Sequence, residues 1–114
     1  MEIGELTPQE NLCLIGLVKA VIQADKVYSE GEAEELKELA CKMGVDLFNE
    51  TIKEARTAFK KLSDIKTYAG TITRQPAREL IYALLIEMAM PDAISPAEEE
   101  FLAWIAELWE IDAG

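Results

Sequence analysis

From Asn11 to Ala24 nearly every position is apolar, and Lys19 and Gln23 are the clear outlets to water. Such a segment has no polar face, so it predicts a helix covered by protein on most sides. Thr7-Pro8-Gln9-Glu10 starts it: Thr as cap, Pro at the first helical position and Glu three residues after the cap. The pattern returns from Pro76 or Ala77 to about Met90, opened by Thr73-Arg74-Gln75-Pro76. Glu87 interrupts this second apolar run and needs a partner there, from Arg78, Lys19 or a cation.

Each apolar segment leads into an amphipathic one. From Ser29 to Met43, Leu36, Leu39, Ala40 and Met43 recur at helical spacing, opposite Glu30, Glu34, Lys37, Glu38 and Lys42, and Gly44 is the expected stop. Asp46 is expected to cap a third helix running to about Leu62, with Phe48, Ile52, Ala55 and Phe59 inward. A short helix is expected around Asp64 to Gly70. Ser95-Pro96 starts the last helix, which carries Phe101, Leu102, Trp104, Ile105, Leu108 and Trp109. No stretch alternates with a period of two over enough residues for a strand. The expected fold is all-α, with two central apolar helices surrounded by amphipathic ones. The expected core is Leu14, Ile15, Val18, Val21, Ile22 and Leu39 with Phe59, Leu80, Ile81, Leu84, Leu85, Leu102 and Ile105, and Leu84→Ala is expected to cost ~2–5 kcal/mol.

The two halves also match each other. The shift that puts Ser29 on Ser95 puts Thr7 on Thr73, Gln9 on Gln75, Leu14 on Leu80, Ile15 on Ile81 and Glu32 on Glu98. It further puts Glu34 on Glu100, Leu36 on Leu102, Ala40 on Ala106 and Asp46 on Asp112, ten identities in all over about forty residues. The chain 1–114 therefore reads as one internally duplicated helical domain, with repeat units at about 7–46 and 73–112 joined by basic connecting helices over 47–72.

Charge narrows the function. With 22 acidic residues against 11 basic, the net charge of −11 argues against nucleic acid and anionic membrane surfaces as partners. The sign is locally reversed in the middle, where Lys53, Arg56, Lys60, Lys61 and Lys66 cluster, while no Lys or Arg follows Glu79. The longest apolar run, Leu12 to Ile22, contains Lys19 and is short of the ~20 residues of a membrane span. The acidic first residues do not resemble a signal peptide. Cys13 and Cys41 lie level across an antiparallel helix pair, whose axes at ~8–10 Å are too far apart for a bridge, so both are expected reduced and half-buried, as suits a cytoplasmic protein. There is no His, no nucleophile–base pair, no Gly-rich phosphate loop and no cofactor fingerprint, so no enzymatic activity is expected.

The candidate site is the pair of inter-helix loops, Asp25 to Glu32 and Pro91 to Glu98. The plainer role of Ser29/Glu32 and Ser95/Glu98 is helix capping, and Asp25 and Asp92 suit turns. Yet an Asp at the end of a helix opposes the dipole, and a tight loop can bring it beside a Glu of the next helix's first turn. Asp25 and Glu32, and by extension Asp92 and Glu98, are therefore the candidate metal ligands. An all-carboxylate set favours Ca²⁺, Mg²⁺ or Mn²⁺. The first loop does not fit an EF-hand: Val27, Glu30 and Leu36 occupy the third ligand, Gly and bidentate Glu places.

An apolar helix, then Ala24-Asp25-x-Val27-x-Ser29-x-x-Glu32, then Leu36-x-x-Leu39-Ala40 and Gly44-Val45-Asp46, resembles the TerB-like domain family. That family includes bacterial tellurite-resistance proteins and related co-chaperone domains. The likeness covers about Thr7 to Asp112. Where the family usually has Asp-Gly at the loop, this chain has Asp25-Lys26, and in the second copy Pro91 falls on Asp25 and Asp92 on Lys26. The resemblance implies an internally duplicated all-helical fold and a bacterial, cytoplasmic stress-response role. It further implies a divalent cation at the acidic loops and, as the alternative to a free cytoplasmic protein, a membrane-peripheral one; a protein partner is expected, and any membrane association would run through it. The alternative is a pure protein–protein interaction domain that uses the basic middle or the last helix.

Overall fold

In the computed structural model, which describes the backbone of residues 2–24, 30–89 and 96–111, every regular element is helical. The side chains at 22–24, 30–33, 35 and 89 lie outside the described part. A short 3-10 turn, Ile3–Glu5, precedes α1 (Pro8–Ala24), α2 (Glu30–Met43), α3 (Val45–Ala58), α4 (Leu62–Ala69), α5 (Gln75–Ala89) and α6 (Pro96–Leu108).

α1 is the axis of the molecule. Every residue from Cys13 to Val18 is buried, because α3, α4, α5 and α6 all pack on this helix. A polar face there would have met only protein, which accounts for the unbroken apolar run. Its start is as expected: the Thr7 N–H donates to Glu10 Oε1 (2.8 Å) and the Glu10 N–H to Thr7 Oγ1 (3.2 Å).

α5 packs on α1, α2 and α6, but it is less enclosed. Its inward stripe is Ala77, Ile81, Leu85 and Met88, all buried. Leu80 and Leu84 are only half-buried against the core, which corrects their place in the expected core. Leu84 lies toward α2, beside Leu39 and Lys42, so its truncation would open an edge that water already reaches. Glu87 is exposed and pairs with Lys42 of α2 at 3.7 Å, not with Arg78 or Lys19. Ile22 lies outside the described side chains; the other ten expected core residues are buried.

The α2–α3 junction is a single residue, Gly44, at φ +96°. Only glycine adopts such a backbone without strain. Its N–H closes α2 onto the Ala40 carbonyl at 2.9 Å, and its own carbonyl accepts the Phe48 N–H at 2.9 Å, so α3 begins at once. Gly44 therefore takes the cap position expected of Asp46, which stands in the first turn of α3 and there favours the positive end of the helix dipole. α3 stops at Ala58, four residues earlier than expected, and Phe59 turns in extended backbone toward the core. The short helix expected at about 64–70 is α4.

The cysteines do not share an environment. Cys13 is buried and its thiol is pushed up to about 12, by burial first and by the nearby Glu10 charge second. Cys41 is exposed, and both are free. The expectation of two half-buried residues fails because four helices pack on α1 and bury Cys13, whereas Cys41 is on an exposed side of α2.

Candidate functional site

A half-open groove of about 570 Å³ lies where the α3–α4 junction meets α6 and one side of α1. The break at Phe59 makes it. The chain turns there, and residues 59–66 come to face α6 across a gap. The floor is apolar, from Phe59, Ile65, Phe101 and Trp104. Phe59 is held by an edge-on contact with Tyr68 (centroids 5.3 Å apart, 65° between planes), and Phe101 leans on Trp104 (5.6 Å). On α6 the lining residues Ala97, Phe101 and Trp104 share one face by helical spacing, and Leu108 continues it one turn further.

The walls are basic. Lys19, Lys60, Lys61 and Lys66 line the groove against a single acid, Glu100. Among the described residues the ion pairs are Lys42–Glu87 and Arg74–Glu10, and neither uses a groove lysine. Asp64 directs its carboxylate to the backbone, accepting the Lys60 and Lys61 N–H groups at 3.0 and 3.2 Å, and so stiffens the turn that presents these two side chains. Lys66 Nζ sits 4.8 Å from the centre of the Trp104 ring, a cation–π contact. Leu62, at the mouth, is 47% exposed.

Of the loop carboxylates expected as metal ligands, Asp25 and Asp92 lie outside the described residues, as does the Glu32 side chain; the Glu32 backbone is in α2. Glu98 is described. It stands in the first turn of α6, is only 2% exposed and is engaged in an interaction. Among the described residues no three His, Cys, Asp or Glu side chains are grouped to hold a metal ion.

A second polar constellation escaped the sequence reading. Arg74 closes on Glu10 with two parallel bonds, Nε–H to Oε2 (2.9 Å) and Nη2–H to Oε1 (2.6 Å), and also reaches the Glu5 carbonyl (3.1 Å). This fork holds the Glu10 carboxyl below the usual carboxylate range, with burial opposing and Thr7 assisting. The Glu10 side chain is 5% exposed and that of Arg74 45%, so the pair seals the start of α1 and exposes no reactive edge. It is a clasp between the N-terminal segment and the α4–α5 connection. The only sequence signal was an Arg two residues before an apolar helix, which by itself names no partner.

No protein-family model, curated protein or solved structure matches the chain. Among the described residues, no helix is long and apolar enough to cross a membrane.

Proposed function

We propose that this chain is a non-enzymatic TerB-like module of the bacterial stress-response kind, and that it works by holding a protein partner. The observation that carries the partner reading is the groove, because it unites the two surfaces that the sequence offered separately, the basic middle and the last helix. Interaction sites combine an aromatic, apolar centre with a polar rim, and the groove has an aromatic floor between lysine-bearing walls. Cys13, buried with a raised pKa, is no nucleophile.

The TerB-like, duplicated arrangement draws support from chain geometry. The shift that puts Ser29 on Ser95 puts Glu30, the start of α2, on Pro96, the start of α6. It also puts Gly44 on Glu110. Among the described residues these are the two with positive φ, +96° and +54°. Each follows the end of its amphipathic helix, as a repeated unit requires.

The test is photo-crosslinking in cells of the native host, with a benzophenone amino acid at Leu62 or, as control, at exposed Lys37 of α2. A discrete adduct is expected at Leu62 and not at Lys37, and it should disappear when Lys60→Glu and Lys61→Glu are added. No adduct at Leu62, or the same pattern at both positions, sinks the reading.

A second reading, a divalent cation at the inter-helix loops, is favoured by one observation: a carboxylate expected as a ligand, Glu98, is buried at the start of α6. A cation that binds only the folded chain raises its stability by ~2.7 kcal/mol at a hundred times the dissociation constant. Millimolar Ca²⁺, Mg²⁺ or Mn²⁺, compared with chelator, should then raise the melting midpoint of the wild type more than that of Asp25→Ala or of Asp92→Ala, whichever loop holds the ion. Equal shifts would leave the loops as turns only.

A further inference from the structure

We infer that the groove between α4 and α6 receives an acidic protein segment carrying one or two bulky apolar side chains. The inference rests on the partner-holding reading above and gives the partner its chemistry. The argument begins with charge. In a protein of net charge −11, four lysines and one glutamate line a single groove. The local field is therefore opposite in sign to that of the whole molecule. A basic partner is drawn to the acidic surface at large but disfavoured here, whereas an acidic one is disfavoured by that surface and favoured at this lysine-lined groove. Such a reversal confers selectivity, since the net charge of −11 opposes an acidic partner over the molecule as a whole.

Apolar chemistry sets the second requirement. A plain anion would leave Phe59, Ile65, Phe101 and Trp104 in water and gain nothing from them. An occupant that puts an apolar side chain on this floor and carboxylates beside the lysines satisfies both walls at once. Length sets the third. The apolar surface does not end with the cavity: Leu62 at the mouth is 47% exposed, and Leu108, one turn beyond Trp104 on the same face of α6, is 39% exposed. Leu62 is part of the cavity lining, but a small compact molecule that fills the cavity would leave Leu108 uncovered, whereas a peptide segment lying along α6 covers it too. Anchoring by apolar side chains with acidic flanks also accounts for Lys66 lying over Trp104, where it can pass from the ring to an incoming carboxylate while keeping a partner throughout.

The probe is a labelled synthetic peptide with a Leu-Phe pair flanked by glutamates, compared with peptides in which the glutamates are all Gln or all Lys. Binding to the full chain is read by anisotropy and, independently, by the change in tryptophan fluorescence, in which Trp104 lines the groove and the other tryptophan, Trp109, is fully buried. At low salt the Glu peptide is expected to bind at least about tenfold tighter than the Gln peptide, and the Lys peptide not at all. The preference should shrink as salt shortens the screening length to about 10 Å at 0.1 M. K60E/K61E changes two exposed side chains and should leave the helical circular dichroism intact. It should weaken the Glu peptide about tenfold or more and reverse the preference toward the Lys peptide.

Equal binding of the Glu and Gln peptides, or Glu-peptide binding that survives K60E/K61E, would overturn the inference. A dimer in sedimentation that K60E/K61E dissolves would assign the groove to a second copy, and co-sedimentation with phosphatidylglycerol vesicles to a lipid surface; either result overturns it too. Failure of the Glu peptide while the Leu62 adduct persists removes only the acidic chemistry. Loss of that adduct removes the partner-holding reading itself.

Discussion

Trp109→Ala is expected to cost about 3–5 kcal/mol, the range for removing a fully buried Trp. Trp109 is 0% exposed and heads the largest fully buried side chains of the molecule. It lies just past the end of α6, where its indole N–H donates to the Ala69 carbonyl at the end of α4 (3.0 Å). Its own carbonyl accepts from Gln75 Nε2 at the start of α5 (3.1 Å). Truncation therefore removes the filling among three helices and leaves the Ala69 carbonyl without its donor. Domains of this size are stable by about 5–15 kcal/mol, so a large part of the total would go. Urea denaturation of Trp109→Ala and Trp104→Ala should separate the two tryptophans clearly, with half-buried Trp104 the cheaper. A loss under about 1 kcal/mol for Trp109→Ala would mean that the end of α6 does not close the core.

Gly16→Val is expected to destabilise by about 3 kcal/mol, at the upper end for overpacking a core. The sign is informative because helix propensity predicts the opposite. A Gly inside a helix is worse than Ala by about 1 kcal/mol, so at an open position replacement would stabilise. At Gly16 a Cβ would stand 2.6 Å from Phe59 Cε2 and 2.9 Å from Cδ2. That ring is buried and braced on one edge by Tyr68, so it can yield only by tilting into the groove it floors, at the cost of that contact. Gly16 is thus where α1 lets the chain at the α3–α4 break approach its axis, and it seats the ring that floors the groove. The check is a double-mutant cycle with Phe59→Ala. The combined loss should be well below the sum of the single losses, since the second change removes what the first one strikes. Additive losses, or a stabilised Gly16→Val, would show that this contact does not govern the site.

The groove illustrates how far the sequence could be read. Lys60, Lys61 and Lys66 stood out as a reversal of charge, and Phe101 and Trp104 as part of an apolar face, because both are local patterns along the chain. Nothing local said that the two would meet. Their meeting depends on Phe59 ending α3, and Phe59 fits the inward spacing of a continuing helix as well as it fits a break. Lys19 read as an outlet to water; only the position of α4 makes it a wall. The Arg74–Glu10 clasp was hidden for the same reason, since its ends lie far apart in the chain and each has an acceptable local role.

The sequence by itself determined that the chain is all-helical, where α1, α2 and α6 begin, that α5 begins within two residues of Pro76 or Ala77 (it starts at Gln75), and that α1 is enclosed. Those properties follow from capping residues and from a period of 3.6, which act within a few residues. The tertiary structure decided which of two adjacent apolar stripes on α5 turns inward, Ile81 and Leu85 over Leu80 and Leu84. It also decided that Glu110, with no glycine to announce it, takes a left-handed backbone. There the Ile111 N–H reaches the Ala106 carbonyl at 2.8 Å and the Glu110 N–H that of Glu107 at 3.3 Å, closing α6. In a segment where nearly every position is apolar, periodicity no longer marks a face, and burial is set by neighbours distant in sequence. The backbone at Glu110 is held in the same way, by the burial of Trp109 immediately before it.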